Sequence, residues 1–211
     1  MPHESFEKLP VEKQEKILNT GIRIFSMRSY RDVSTDVITR ECGVSKGILF
    51  HYFGSKQEYY LACLNTSLQR LTETKTEAEG ADFYDILFET MKEKFSICRR
   101  YRDEMHLVNM ASRDASEEIK VKKAELIQEY RKAVHQESAE VLAKALSRLP
   151  LKKKSPLITE GLQTYVSAVM NRYLLQYQEE PDRFFEEEEA IRSEMKEYLN
   201  LFLYGIAREE L

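Results

Sequence analysis

The stretch CGVSKGILFHYFGSK, residues 42–56, decides how this chain folds. Gly43 and Gly54 are turn residues, free to take positive φ and so to end a helix. Ser45 follows the first glycine and is a helix N-cap, which predicts a short helix through about Phe53. Ser55 and Glu58 form an S-x-x-E capping box that opens the next helix. Upstream, Ser34 caps another short helix, Thr35 to Cys42, with Ile38 and Cys42 on one face. Two short helices about a Gly-Val turn describe a helix-turn-helix. Val44 plugs the angle between them, above Ile38 and Leu49. The second helix then offers Lys46, Gly47 and Ile48 at its exposed start. Lys46 suits guanine O6 and N7, Gly47 lets the backbone approach, and Ile48 suits a thymine methyl. Ser34, Thr35, Ser45, Phe50, His51, Tyr52 and Lys56 lie where they would add contacts, chiefly to phosphates.

A duplex-binding segment has to be reconciled with an acidic chain. The net charge is −4 over 211 residues. Residues 1–65 hold nine Lys or Arg against eight Asp or Glu, and the rest hold 23 against 28. The acidity therefore sits outside the front segment, where it repels a polyanion least. Hydrophobic residues make up 42% and charged residues 32%, a globular composition. Few Gly and Pro, with much Glu, Lys and Leu, favour an all-α fold. Cys42, Cys63 and Cys98 form no C-x-x-C pair, so reduced thiols are expected rather than disulfides or zinc. His3, His51, His106 and His135 show no metal-ligand spacing, and no metal or cofactor is expected. No P-loop, GxGxxG or GxSxG is present, so no enzyme is indicated. The start, MPHESFEKLPVEKQEK, has no apolar core, and no apolar run is long enough to cross a bilayer. A cytoplasmic protein is expected.

Periodicity predicts about nine helices. The first covers residues 11–28, with Ile17, Leu18, Gly21, Ile22 and Phe25 on one face. After the two short helices, the fourth runs from Ser55 towards Glu79. Asp82 caps a fifth, and a sixth lies near residues 104–112. Ser116 starts a long seventh with Ile119, Leu126, Tyr130, Val134, Leu142 and Leu146 along one side. Lys152 to Lys154 form a loop, and Ser155-Pro156 starts the eighth helix, to about Gln178. The last spans about Arg183 to Ala207. The expected division is residues 1–55, a helix-turn-helix DNA-binding domain, and residues 56–211, a helical ligand-binding and dimerisation domain. Three short helices bury too little alone, so the front domain is expected to lean on the fourth helix.

Over residues 13–64 the chain resembles the TetR family of bacterial transcriptional regulators. Ser34, Ile38, Gly43-Val44-Ser45, Gly47, Leu49, Phe50, Tyr52-Phe53 and Ser55-Lys56 fall on the family pattern S/T-x-x-x-I-A-x-x-A-G-V-S-x-G-x-L-Y-x-Y-F-x-S-K without a gap. Phe50 stands where the family has tyrosine, and Ser29 where it has glycine. Thr20-Gly21 replaces two alanines, and Thr39 and Cys42 replace one each.

The resemblance implies a homodimeric repressor, released from a pseudo-palindromic operator by a small ligand. It implies an interface from the last two helices, where Ile158, Leu162, Tyr165, Val169, Tyr173, Met195, Leu199 and Phe202 form wide apolar stripes. It also implies a cavity for a small, largely apolar ligand, for which Tyr101, Met105, His106, Asn109, Met110, Tyr130 and Tyr173 are candidates. The alternative is a DNA-bound adaptor or nucleoid-type protein governed by a protein partner. A family member acting as an activator, or an enzyme or pure ligand-binding module that has lost DNA binding, is also compatible with the residues.

Overall fold

The computed structural model describes residues 2–72, 80–149 and 156–204. The stretches read as the end of the fourth helix at Glu79, the Lys152–Lys154 loop with its Ser155 cap, and the last turn to Ala207 lie outside them. The described residues hold eleven helices and no strand. These are α1 (Glu4–Glu7), α2 (Val11–Met27), α3 (Thr35–Cys42), α4 (Lys46–Phe53), α5 (Lys56–Thr72), α6 (Phe83–Arg100), α7 (Arg102–Arg113), α8 (Lys120–Leu146), α9 (Pro156–Tyr177), α10 (Pro181–Glu186) and α11 (Glu188–Tyr204). Two exceed the nine expected. One is the four-residue α1. The other is α10, which starts on Pro181 rather than after it, because proline is compatible with the first turn of a helix.

The caps work as the residue types require. Ser34 Oγ accepts the Val37 N–H, Ser45 Oγ the Ile48 N–H, and Ser55 Oγ the Glu58 N–H. Asp82 Oδ1 accepts the Asp85 N–H ahead of α6. Gly43 ends α3 at φ 69° and Gly54 ends α4 at φ 76°, conformations a side chain disfavours.

The chain packs as two units. The first joins Met1–Thr74 with Tyr101–Val134. Its core is built from Ile17, Ile22, Phe25, Ile38, Leu49, Phe53, Tyr59, Tyr60 and Leu64, closed by Leu107 and Ala111 of α7 and Ile119 and Ile127 at α8. Residue 55 is therefore not a packing boundary. The helix-turn-helix needs α5, as expected, and also α7 and the first half of α8, to bury its apolar faces. The second unit joins Lys75–Arg100 with His135–Leu211. Its core stacks Phe88, Met91, Phe95, Phe184, Val166, Tyr173, Ile191 and Met195.

Candidate nucleic-acid interface

Helix α4 is apolar almost all round, so burial decides which side faces water. Leu49 and Phe53 are buried, Phe50 and Tyr52 half-buried, and Lys46, Gly47, Ile48 and His51 exposed. Ile48 is 44% exposed, an uncovered β-branched side chain beside a basic residue. A Cβ at Gly47 would meet no atom closer than Ser45 Oγ at 4.0 Å, so the backbone there is open to a close approach. Lys46 Nζ lies 3.3 Å from Asp36 Oδ1 of α3, both side chains being more than half exposed. Ser34 and Ser45 are exposed and spend their hydroxyls on their own helix starts, while Thr35 is half-buried.

Lys56 is less free than its motif position implies. Its ammonium stands 4.3 Å from the centroid of the Tyr30 ring, a cation–π contact. Burial lowers its pKa, against the raising effect of Glu118, Asp32 and Asp114. It remains half-exposed at the start of α5.

Helix α4 is held from three sides. Beneath it, Ile38, Leu49 and Phe53 are buried, with Val44 half-buried at the turn. Behind it, the Phe53 ring lies 4.8 Å from Tyr59 of α5. At its C-terminal end, the chain's own N-terminal segment packs on it. The His3 N–H donates to the Tyr52 carbonyl at 2.7 Å, and Phe6 sits 4.8 Å from the Phe53 ring and 5.7 Å from Tyr52. Gln14 of α2 donates its side-chain amide to the Glu7 and Leu9 carbonyls, which fixes the end of α1. Sequence reading passed over this segment. Phe6 and Leu9, three apart between Pro2 and Pro10, were the available signal.

A second missed residue is Asp114. One carboxylate oxygen accepts the Tyr30 N–H at 2.8 Å, just ahead of the helix-turn-helix, and the other accepts the Ser116 N–H at 2.8 Å. Burial pushes its pKa up, but the bonds from Ser116 and Tyr30 outweigh that and hold it below the ordinary value. Residues 30 and 114 have no local relation, so no sequence pattern announces the contact.

The candidate ligand residues divide between the units. Tyr101, Met105, His106, Asn109, Met110 and Tyr130 belong to the first unit and are half-buried, Tyr101 just ahead of α7 and the others on α7 and α8. Tyr173 belongs to the second, buried in its core with its hydroxyl donating to Glu194 at 2.9 Å. Two grooves flank α8 in the first unit. One, of about 380 Å³, is lined by Ala111, Ser112, Lys123, Ala124, Ile127, Gln128 and Arg131 and by none of the candidates. The other, of about 240 Å³, includes Tyr130 with Leu68, Gln69 and Leu126.

The candidate interface residues need a similar revision. Leu162, Val169, Tyr173, Met195 and Leu199 are all under 9% exposed within their own unit, so they have almost no surface to give a second copy. Their stripes fill the core of one unit. Ile158 and Tyr165 are half-buried. The apolar side chains that α9 and α11 leave in water are Leu157, Leu175, Leu201, Phe202 and Tyr204, with Phe202 stacked on Tyr165 at 4.8 Å. Of the expected set, Phe202 is the member with a large exposed face.

An all-α chain whose Ser-capped second helix projects Lys46, Gly47 and Ile48 into solvent carries a helix-turn-helix of the kind that lies in a duplex groove. Residues 17–63 match the model for bacterial regulatory proteins of the tetR family. The similarity to that family is carried by this segment. The transcriptional repressor AcnR of Corynebacterium efficiens is 31% identical over 68 residues, 32% of this chain and 36% of that protein. The curated relatives are matched over a quarter to about two-fifths of their own lengths. In structure, Salmonella enterica GusR superposes over 90% of this chain and 97% of its own, at TM-score 0.63 and 18% identity. Bacillus subtilis FadR, solved in complex with stearoyl-CoA, does so over 91% and 98%, at TM-score 0.58 and 14% identity. The fold is shared along nearly the whole chain, while the sequence kinship is concentrated at the front.

Proposed function

We propose that this protein is a DNA-binding transcriptional regulator, a dimeric repressor released from a pseudo-palindromic operator by a small ligand. The observation that carries the reading is the solvent-facing start of α4, where Lys46, open Gly47 and exposed Ile48 stand together on a helix held from beneath, behind and its far end. Lys46 meets a base edge, and Ile48 lies against a thymine methyl. Ser34, Thr35, Ser45, Phe50, His51, Tyr52 and Lys56 surround the groove contact; Thr35, Tyr52 and Lys56 position it on phosphates through their side chains, and Phe50 adds apolar contact only.

Pairing of two copies is supported by Leu157, Leu175, Leu201, Phe202 and Tyr204, apolar side chains that α9 and α11 leave exposed. A two-fold dimer reads half-sites about one DNA turn apart. Ligand response is supported by the partly filled flanks of α8 and by the stearoyl-CoA complex of FadR, a protein of the same fold.

Selection from a random duplex library at two salt concentrations tests the reading. A palindrome with one preferred spacing is the expected result. Recovery of no sequence above background, by protein freed of any carried ligand by unfolding and refolding, would refute it.

A further inference from the structure

The N-terminal segment ends on a side chain that the helix-turn-helix reading does not use. His3 is exposed, and its ring centroid lies 5.4 Å from that of His51 on the reader helix. Its place is fixed by main chain, through the His3 N–H to the Tyr52 carbonyl, and by Phe6, which is buried against Tyr52 and Phe53. The C-terminal carbonyls of a helix lack partners within it, so this hydrogen bond supplies one to the reader itself. The ring is also oriented. Its Nδ1 accepts the Ser5 N–H at 3.2 Å and lies 2.9 Å from the Ser5 hydroxyl. An Nδ1 that accepts leaves the proton of the neutral ring on Nε2. Nε2–H is then a donor on a ring that stands beside His51. Of the two acids on α1, Glu4 is paired with Lys8 at 2.7 Å, an exposed contact.

We propose that His3 is a DNA-contacting residue, donating from Nε2 to a phosphate oxygen next to the one that His51 and Tyr52 approach. The proposal rests on α4 being the DNA reader. It extends the binding surface to a segment outside the matched family region, which starts at residue 17. Such a contact positions the protein and carries no sequence information.

The test uses the full chain and a duplex recovered by the selection above, remade with a neutral methylphosphonate at each backbone position in turn. His3→Ala removes the ring and keeps the main-chain N–H that holds Tyr52. It is expected to weaken binding about tenfold on every duplex alike, the scale of a hydrogen bond to a charged group, with the melting temperature lowered by no more than the loss of one exposed cap bond to Ser5. At one phosphate in each half-site, the methylphosphonate is expected to weaken the unsubstituted protein and leave His3→Ala unaffected. Equal affinity of the two proteins for unmodified DNA overturns the proposal. So does a loss with no phosphate at which the two changes fail to add, because that assigns His3 to folding of the reader. If the unsubstituted protein binds no duplex, the DNA reading falls and this contact with it. If it binds and His3→Ala binds equally, only the contact falls.

Discussion

At the scale of the residue, Gly21 shows why a departure from a family pattern is tolerated. The Tyr59 hydroxyl donates to the Ile17 carbonyl at 2.6 Å and occupies the space beside α2. A Cβ at position 21 would stand 2.4 Å from that hydroxyl oxygen and 2.5 Å from Cys63 Sγ. Alanine usually stabilises a helix interior relative to glycine by about 1 kcal/mol. Here the methyl has to displace a packed ring, and Gly21→Ala is expected to destabilise the first unit by about 1–3 kcal/mol, read by urea denaturation. The same cluster buries two of the free thiols, Cys42 and Cys63. Burial raises Cys42, against the Tyr59 hydrogen bond, and raises Cys63 further. Lys46 is a surface case. Its contact with Asp36 is exposed and worth little in water, but a duplex has to compete with it. Asp36→Asn is expected to tighten binding to all duplexes several-fold, whereas Lys46→Ala weakens binding and relaxes preference at one base pair. Titration against selected and mismatched duplexes measures both, and equal loss on every sequence would reassign Lys46 to a phosphate.

At the scale of the element, the helices packed around the helix-turn-helix are fixed to one another by side-chain bonds. Arg70 of α5 reaches Glu104 of α7 at 2.6 Å and Asn19 of α2 at 2.7 Å, so one guanidinium joins three helices. The Arg70 and Glu104 side chains are only 18% and 10% exposed, so removing one partner strands a charge. Arg70→Met or Glu104→Met alone is expected to cost about 3–5 kcal/mol in chemical denaturation, and the double replacement clearly less. Equal costs for single and double variants would show that the pair is not a desolvated unit. Asp114 ties the α7–α8 corner to Tyr30 and gives a pH signature. Its folded pKa lies below the ordinary value, so the folded state favours the charged form. The stability this contributes is present at neutral pH. It is lost as pH falls from the ordinary carboxylate range through the lower folded value. Asp114→Asn is therefore expected to lower stability at pH 7 and to flatten its fall below about pH 4, followed by thermal melting across pH.

At the scale of the whole molecule, an acidic chain that grips a polyanion does so through local contacts, and salt exposes this. Each phosphate neutralised by a cation adds about 0.9 to the slope of log affinity against log salt. Lys56→Ala is expected to flatten that slope by about one and to weaken all duplexes alike. An unchanged slope would leave Lys56 with its Tyr30 contact alone. In the second unit, Phe202 and Leu175 are the exposed apolar side chains whose exchange for charge tests pairing. Leu175→Glu with Phe202→Glu is expected to yield a folded monomer in sedimentation and to lose the palindromic preference. A ligand that favours one spacing of two readers needs a coupling of only about 1–3 kcal/mol to change operator affinity roughly 5- to 150-fold.

The sequence by itself determined the helix-turn-helix. Ser34, Gly43, Ser45, Gly54 and Ser55 act through bonds to residues three or four positions away or through their own φ, and such local rules can be read along the chain. The all-α class followed from composition and periodicity for the same reason. Tertiary structure alone decided which side of each apolar stripe is buried. Leu162, Val169, Met195 and Leu199 look like an interface in one dimension, but they are the core of their own unit. It also decided that α7 and the first half of α8 complete the reader's core, that Asp114 holds Tyr30 and that His3 stands beside His51. Each of these depends on partners distant in sequence, whose meeting is set by how apolar faces close on one another and leaves no periodic trace in either segment.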